Sequence, residues 1–97
     1  MIPYSKQTIN NKDIQEVAKT LKSELITQGN KVSLFEGKVE KLVKAKYAVA
    51  VNSASSALLL CCRVLGIQDG DIFWASPNTY VASISCGLHC SAKVDFV

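Results

Sequence analysis

No apolar run in this chain is long enough to cross a bilayer. The longest, near Ala57–Cys62, falls far short of the roughly 20 residues a spanning helix needs. No charged leader followed by an apolar core and a cleavage site opens the sequence, which argues against a secretory signal. Gly-Lys-Ser/Thr is missing, and so is Gly-x-Gly-x-x-Gly, so neither a Walker loop nor a dinucleotide fingerprint is present. Internal repeats and low-complexity segments are also lacking. A tight basic stripe is absent too. The net charge of +3 comes from 11 basic and 8 acidic residues, and the lysines from Lys12 to Lys46 are interleaved with acids. That pattern describes solvated helix faces rather than a nucleic-acid surface.

Four cysteines occur, Cys61, Cys62, Cys86 and Cys90. With no leader they are expected to be thiols in a reducing cytoplasm. Cys86, His89 and Cys90 share one helical face, but a closed zinc site needs four ligands and no second pair has matching spacing. Buried thiols and one partly exposed histidine are the plainer expectation. No general base can be assigned, because no lysine sits in a segment that reads as buried, and a Schiff-base lysine must be desolvated.

What the chain does contain is an ordinary globular composition: 97 residues, 48% hydrophobic and 20% charged. That is enough for one domain. Met1–Asn10 is polar and irregular. Asn10 or Asn11 can cap a helix over Asp13–Leu25, where Ile14, Val17, Ala18, Leu21 and Leu25 recur at helical spacing. Gly29 is expected just past its end. Val32, Phe35, Val39, Leu42 and Val43 line a second helix, with Asn30 as its candidate cap.

Tyr47–Val51 has the character of a buried strand. Ser55–Leu65 is a helix apolar nearly all round, stopped by Gly66 and expected to be covered on several sides. Asp69-Gly70 marks a turn. Ile72–Ala75 is the next strand, with Trp74 expected in the core. Thr79–His89 is a helix and Lys93–Val97 a last strand. Two helices followed by β-α-β-α-β predict an α/β fold with a mostly parallel sheet. Such sheets are normally buried on both faces. Helices this apolar, with a chain stopping inside a strand, suggest the N-terminal piece of a longer protein.

Three segments carry candidate chemistry. In Asn52-Ser53-Ala54-Ser55-Ser56 an apolar strand runs through small polar residues into a helix. A helix N-terminus has unpaired amides and partial positive charge, and small side chains let a phosphate approach. The plainer alternative is a βα loop in which Asn and Ser only cap the helix. Ser76-Pro77-Asn78-Thr79-Tyr80 leaves the next strand at the same sheet edge, where ligands of open α/β sheets gather. Tyr80 there offers a flat face to a cofactor ring, or simply packs the helix start. Ile26-Thr27-Gln28-Gly29 is polar enough to meet a ligand, or is a plain inter-helix turn.

Together these segments resemble one family. Ile2-Pro3-Tyr4-Ser5, Ile26-Thr27-Gln28-Gly29 with Phe35-Glu36, Asn52-Ser53-Ala54-Ser55-Ser56-Ala57-Leu58, Ser76-Pro77-Asn78-Thr79-Tyr80-Val81-Ala82 and Ala92-Lys93-Val94 resemble, in order, the sugar-nucleotide aminotransferases of the DegT–DnrJ type. The resemblance implies the N-terminal part of a fold-type I pyridoxal 5'-phosphate transferase. Residues 1–30 would be an arm and helix, and residues 31–97 the start of the large cofactor-binding domain. It implies that Ala54 and Ser55 hold the cofactor phosphate and that Tyr80 stacks on its ring. Tyr4, Ile26, Thr27, Gln28 and Ser53 would lie near the sugar nucleotide. The catalytic lysine would come further along the chain.

Within the family, the Asn-Ser-Ala-Ser-Ser-Ala-Leu and Thr-Gln-Gly segments point to members that aminate C4 of a UDP-linked 4-keto-6-deoxy sugar on the way to pseudaminic acid, with a donor such as glutamate. A homodimer is also implied. The commoner family form has Gly-Thr where this chain has Ala54-Ser55. The alternative function is a small non-catalytic α/β module that binds a phosphorylated ligand or a partner protein.

Overall fold

The computed structural model describes residues 2–97, and the chain divides into two compact units, Met1–Ala50 and Val51–Val97. The first unit contains helices α1 (Asn11–Leu21) and α2 (Lys31–Val43). Asn10 caps α1 as expected. Its Oδ1 accepts from the amides of Lys12 and Asp13 at 2.8 and 3.3 Å, and the Asp13 carboxylate accepts from the Asn10 amide at 2.9 Å. This reciprocal box satisfies donors that the helix cannot.

Helix α1 stops at Leu21 and does not reach Leu25. The Ser23 hydroxyl and amide both donate to the Thr20 carbonyl, at 2.6 and 3.0 Å. Such local side-chain bonds compete with continuation of the helix. Gly29 is therefore not a helix terminus. Its own requirement is steric, since a Cβ there would lie 2.6 Å from the Leu25 carbonyl oxygen. Asn30 occupies the N-cap position of α2 in helical conformation, and its side chain makes no capping bond. Lys31 Nζ meets Glu16 Oε2 at 2.8 Å. That hydrogen bond, and then the lysine charge, hold the Glu16 carboxyl below its usual value. Both groups are exposed, so the pair adds little stability.

Tyr47–Val51 is not a strand. The Ala48 and Ala50 amides donate instead to the carboxylates of Glu40 and Glu36 on α2, at 3.1 and 2.8 Å. A strand exists only where a neighbour supplies a ladder. In the first unit these amides find side chains.

The second unit contains α3 (Ala54–Val64), β1 (Ile72–Ala75), α4 (Ala82–Leu88) and β2 (Lys93–Phe96). The strands pair in parallel, with Ile72 opposite Lys93 and Ala75 opposite Phe96. Helix α3 ends in a Schellman turn. The Ile67 amide donates to the Cys62 carbonyl at 3.0 Å and the Gly66 amide to the Arg63 carbonyl at 3.1 Å, with Gly66 at φ +75°. Helix α4 packs on α3 and on both strands. It begins at Ala82 rather than Thr79, because the Thr79 hydroxyl is bonded to Ser83 Oγ and Tyr80 remains outside the helix.

The core of this unit is made of small residues: Cys62, Ala82, Cys86, Gly87 and Ala92. Gly87 sits so close to Phe73 that a Cβ would lie 2.7 Å from its ring. Trp74, expected inside, is 57% exposed. Helix α3 is covered only along the side that carries Cys62.

Candidate functional site

The turn into α3 is built from its own side chains. Ser53 is extended and serves as the N-cap, its Oγ accepting from the Ser56 amide at 3.2 Å. The Ala57 amide donates to the Ser53 carbonyl at 3.1 Å. The Ser56 hydroxyl donates to Asn52 Oδ1 at 2.7 Å and lies 3.0 Å from Ser53 Oγ. Among the described residues nothing accepts from the Ala54 or Ser55 amides. Two adjacent donors therefore stand free at the positive end of an 11-residue helix, with the Ser55 hydroxyl beside them.

Ser55 and Tyr80 line one cleft of about 280 Å³, bounded by α3 on one side and by the start and outer side of α4 on the other. That volume lies just below the roughly 300–1,000 Å³ usual for small-molecule sites. Tyr80 is 75% exposed, so its ring face is open. His89, also exposed, borders the same cleft. Cys86 forms part of its floor and donates to the Ser83 carbonyl at 3.6 Å. Cys62, buried beside it, has its thiol pushed up to about 11, first by burial and then by the hydrogen bond to Cys86. Such a thiol is protonated at neutral pH and does not act as a nucleophile. Among the described residues no group of three His, Cys, Asp or Glu side chains is arranged to share a metal ion.

The remaining singled-out residues lie in the first unit, apart from Ser53. Tyr4 is fully exposed and Ile26 largely so. Thr27 and Gln28 stand in the exposed bend between α1 and α2, with Gln28 at φ +56°. Asn52 and Ser56 were legible in the sequence only as generic caps. The Ser-x-x-Ser spacing of Ser53 and Ser56, which places a side chain at the third helical position opposite the cap, signals the contact between those two serines; the bond from Ser56 to Asn52 has no such signal.

Comparison with known proteins gives this geometry its context. The profile of the DegT/DnrJ/EryC1/StrS aminotransferase family matches residues 7–97. The chain belongs to that family.

Among the relatives, the UDP-4-amino-4,6-dideoxy-N-acetyl-beta-L-altrosamine transaminase of Campylobacter jejuni is 39% identical over 97 residues, covering all of this chain and 26% of the relative. The spore coat polysaccharide biosynthesis protein SpsC of Bacillus subtilis is 41% identical over 95 residues, 98% of this chain and 24% of its own. Spr1654 of Streptococcus pneumoniae, described as a sugar aminotransferase, superposes with a TM-score of 0.89 at 36% identity, covering 99% of this chain and 24% of that one. It has been solved in PLP, PMP and apo forms. The chain thus spans about a quarter of the length of these members. The α/β architecture expected from the sequence is shared with Spr1654; the strand expected over Tyr47–Val51 is not formed.

Proposed function

We propose that residues 1–97 form the N-terminal portion of the large cofactor-binding domain of a pyridoxal 5'-phosphate-dependent sugar-nucleotide aminotransferase. Residues 1–30 would be its arm and first helix, and residues 31–97 the start of its α/β sheet. The carrying observation is the pair of unbonded amides at Ala54 and Ser55, on a helix whose Ser55 lines a cleft with Tyr80. The donor set fits the group. A phosphate dianion has only acceptors, and here two amides without an internal partner and the Ser55 hydroxyl belong to one helix N-terminus. Ala54 and Ser55 would hold the phosphate, and Tyr80 would lie on the pyridine ring.

When bound, pyridoxal phosphate supplies the carbonyl that takes up an amino group from the donor and the amine that is passed to the keto sugar. This chain binds and orients it. The fixed cradle positions the ring without reorganisation at the moment of reaction. Tyr4, Ile26, Thr27 and Gln28 of the first unit and Ser53 of the second are assigned to the neighbourhood of the sugar nucleotide. The substrate is a UDP-linked 4-keto-6-deoxy sugar of the pseudaminic acid route, aminated at C4 with a donor such as glutamate. The likeness to the altrosamine transaminase supports that choice. The working enzyme is a homodimer. The four cysteines of these 97 residues stand as free thiols, in keeping with a reducing cytoplasm.

The test uses the complete enzyme. Pyridoxal phosphate should bind with a visible absorption band. Ser55→Ala should weaken cofactor retention by about 1 kcal/mol, the usual net value of one hydrogen bond. Unchanged affinity would remove the Ser55 hydroxyl from the cradle, and no cofactor binding at all would end the assignment.

A further inference from the structure

We propose that Ser56, which carries no ligand contact in the assignment above, is the positioning residue of the phosphate cradle; the inference rests on that assignment. Ser56 is half-buried in the first turn of α3. Its hydroxyl is 2.7 Å from Asn52 Oδ1 and 3.0 Å from Ser53 Oγ, and its amide is 3.2 Å from the same Ser53 oxygen.

Hydrogen counting fixes the direction of every bond. An amide oxygen only accepts, so the single Ser56 hydroxyl proton goes to Asn52. Ser56 therefore accepts from Ser53 in the contact between the two hydroxyls. Ser53 has now given its only proton to Ser56 and one lone pair to the Ser56 amide. What remains on Ser53 is one acceptor site. Donation runs one way, from Ser53 to Ser56 to Asn52.

Two consequences follow. Phosphate oxygens only accept, so Ser53 has nothing to offer them. The phosphate is directed to the Ala54 and Ser55 amides and the Ser55 hydroxyl, while Ser53 is left to receive a hydroxyl or N–H from a sugar. Neighbouring serines thereby bind ligand groups of opposite hydrogen-bonding character. The bond to Asn52 also ties the residue before the cap to the first turn, which holds the two free amides in a fixed direction. Loss of the Ser56 hydroxyl frees the Ser53 proton and loosens the turn.

The experiment titrates the complete apoenzyme with pyridoxal phosphate and with pyridoxal, which lacks the phosphate, following the cofactor's absorbance and recording melting temperatures. Ser56→Ala should weaken pyridoxal phosphate about fivefold to tenfold and leave pyridoxal within about twofold. Ser56→Thr keeps the hydroxyl and should restore the phosphate affinity. Asn52→Ala removes the acceptor at the other end and should reproduce the loss, which keeps the test open if Ser56→Ala does not fold. Wild-type affinity for pyridoxal phosphate in Ser56→Ala or Asn52→Ala would overturn the role. So would an equal loss for both ligands, which would mark a merely structural effect. A wild-type enzyme that shows no preference for the phosphorylated ligand would instead overturn the cofactor assignment on which the role depends.

Discussion

On the family resemblance Ala54 and Ser55 take the place of a Gly-Thr pair, and the backbone at these two positions is compatible with that exchange. Neither residue has positive φ, so a Cβ costs nothing at either position. The hydroxyl that Thr would bring is kept by Ser55. The strained residues are elsewhere. Gln28, Lys44 and Ser91 are the non-glycine residues at positive φ among those described, a conformation that costs an L-residue about 1–2 kcal/mol. Glycine would suit each position better. At Gln28 the side chain is retained in the bend assigned to the sugar nucleotide, which suggests that the amide group is wanted there. Gln28→Gly in the complete enzyme should leave the melting temperature equal or slightly higher. It should also raise KM for the sugar nucleotide about fivefold, as one lost hydrogen bond would. Steady-state kinetics beside a thermal melt separate the two effects, and an unchanged KM would take Gln28 out of the substrate site. At this scale the sequence is largely readable, because capping and turn chemistry is local. The Asn52–Ser56 turn was visible as donors and acceptors, whereas the direction of each bond needed distances.

Helices and strands were legible according to how local their causes are. The cap expected at Asn10 or Asn11, the stop at Gly66 and the Asp69-Gly70 turn are all written in residues a few positions apart, and they appear as a capping box at Asn10, a Schellman turn and a turn with Gly70 at positive φ. Helix ends were less visible. The apolar spacing through Leu25 continues past the point where the Ser23 hydroxyl and amide both turn back to the Thr20 carbonyl and α1 ends. The segment Tyr47–Val51 failed as a strand for a different reason. Its pattern describes burial, and burial depends on neighbours that a local pattern does not identify. Packing between elements was likewise unreadable at Gly87, which sits inside α4 where glycine is unfavourable. Its reason is the Phe73 ring on β1, 2.7 Å from where a Cβ would be. Gly87→Ala should gain helix propensity yet destabilise the protein by about 1–3 kcal/mol through overpacking. Denaturant unfolding of the variant checks this, and Phe73→Leu on top of it should recover part of the loss. A stabilised Gly87→Ala would show that α4 can retreat from the strand at no cost.

Taken as a whole molecule, the chain has apolar residues in quantity but little that is deeply covered. Its buried hydrophobic set among the described residues is Cys62, Ala82, Cys86 and Ala92, while Leu60, Val64, Trp74 and Phe96 are 47%, 86%, 57% and 51% exposed. Fully burying a Leu, Val or Phe side chain is worth roughly 1.5–3 kcal/mol, and here most of that gain is not realised. A two-stranded sheet is marginal by itself. Relatives about four times as long offer the natural source of cover: further polypeptide laid on α3 and on the sheet. The 97 residues alone should therefore bind a hydrophobic dye such as anilinonaphthalene sulfonate at neutral pH and unfold over a broad range without a sharp calorimetric peak. The complete enzyme should do neither. Low salt and added sulfate distinguish the cause, since sulfate strengthens apolar burial and should sharpen the transition of the 97-residue chain or drive it to self-associate. A sharp two-state transition with no dye binding in those residues would mean that the small-residue core is sufficient, and the exposed side chains would then need another explanation.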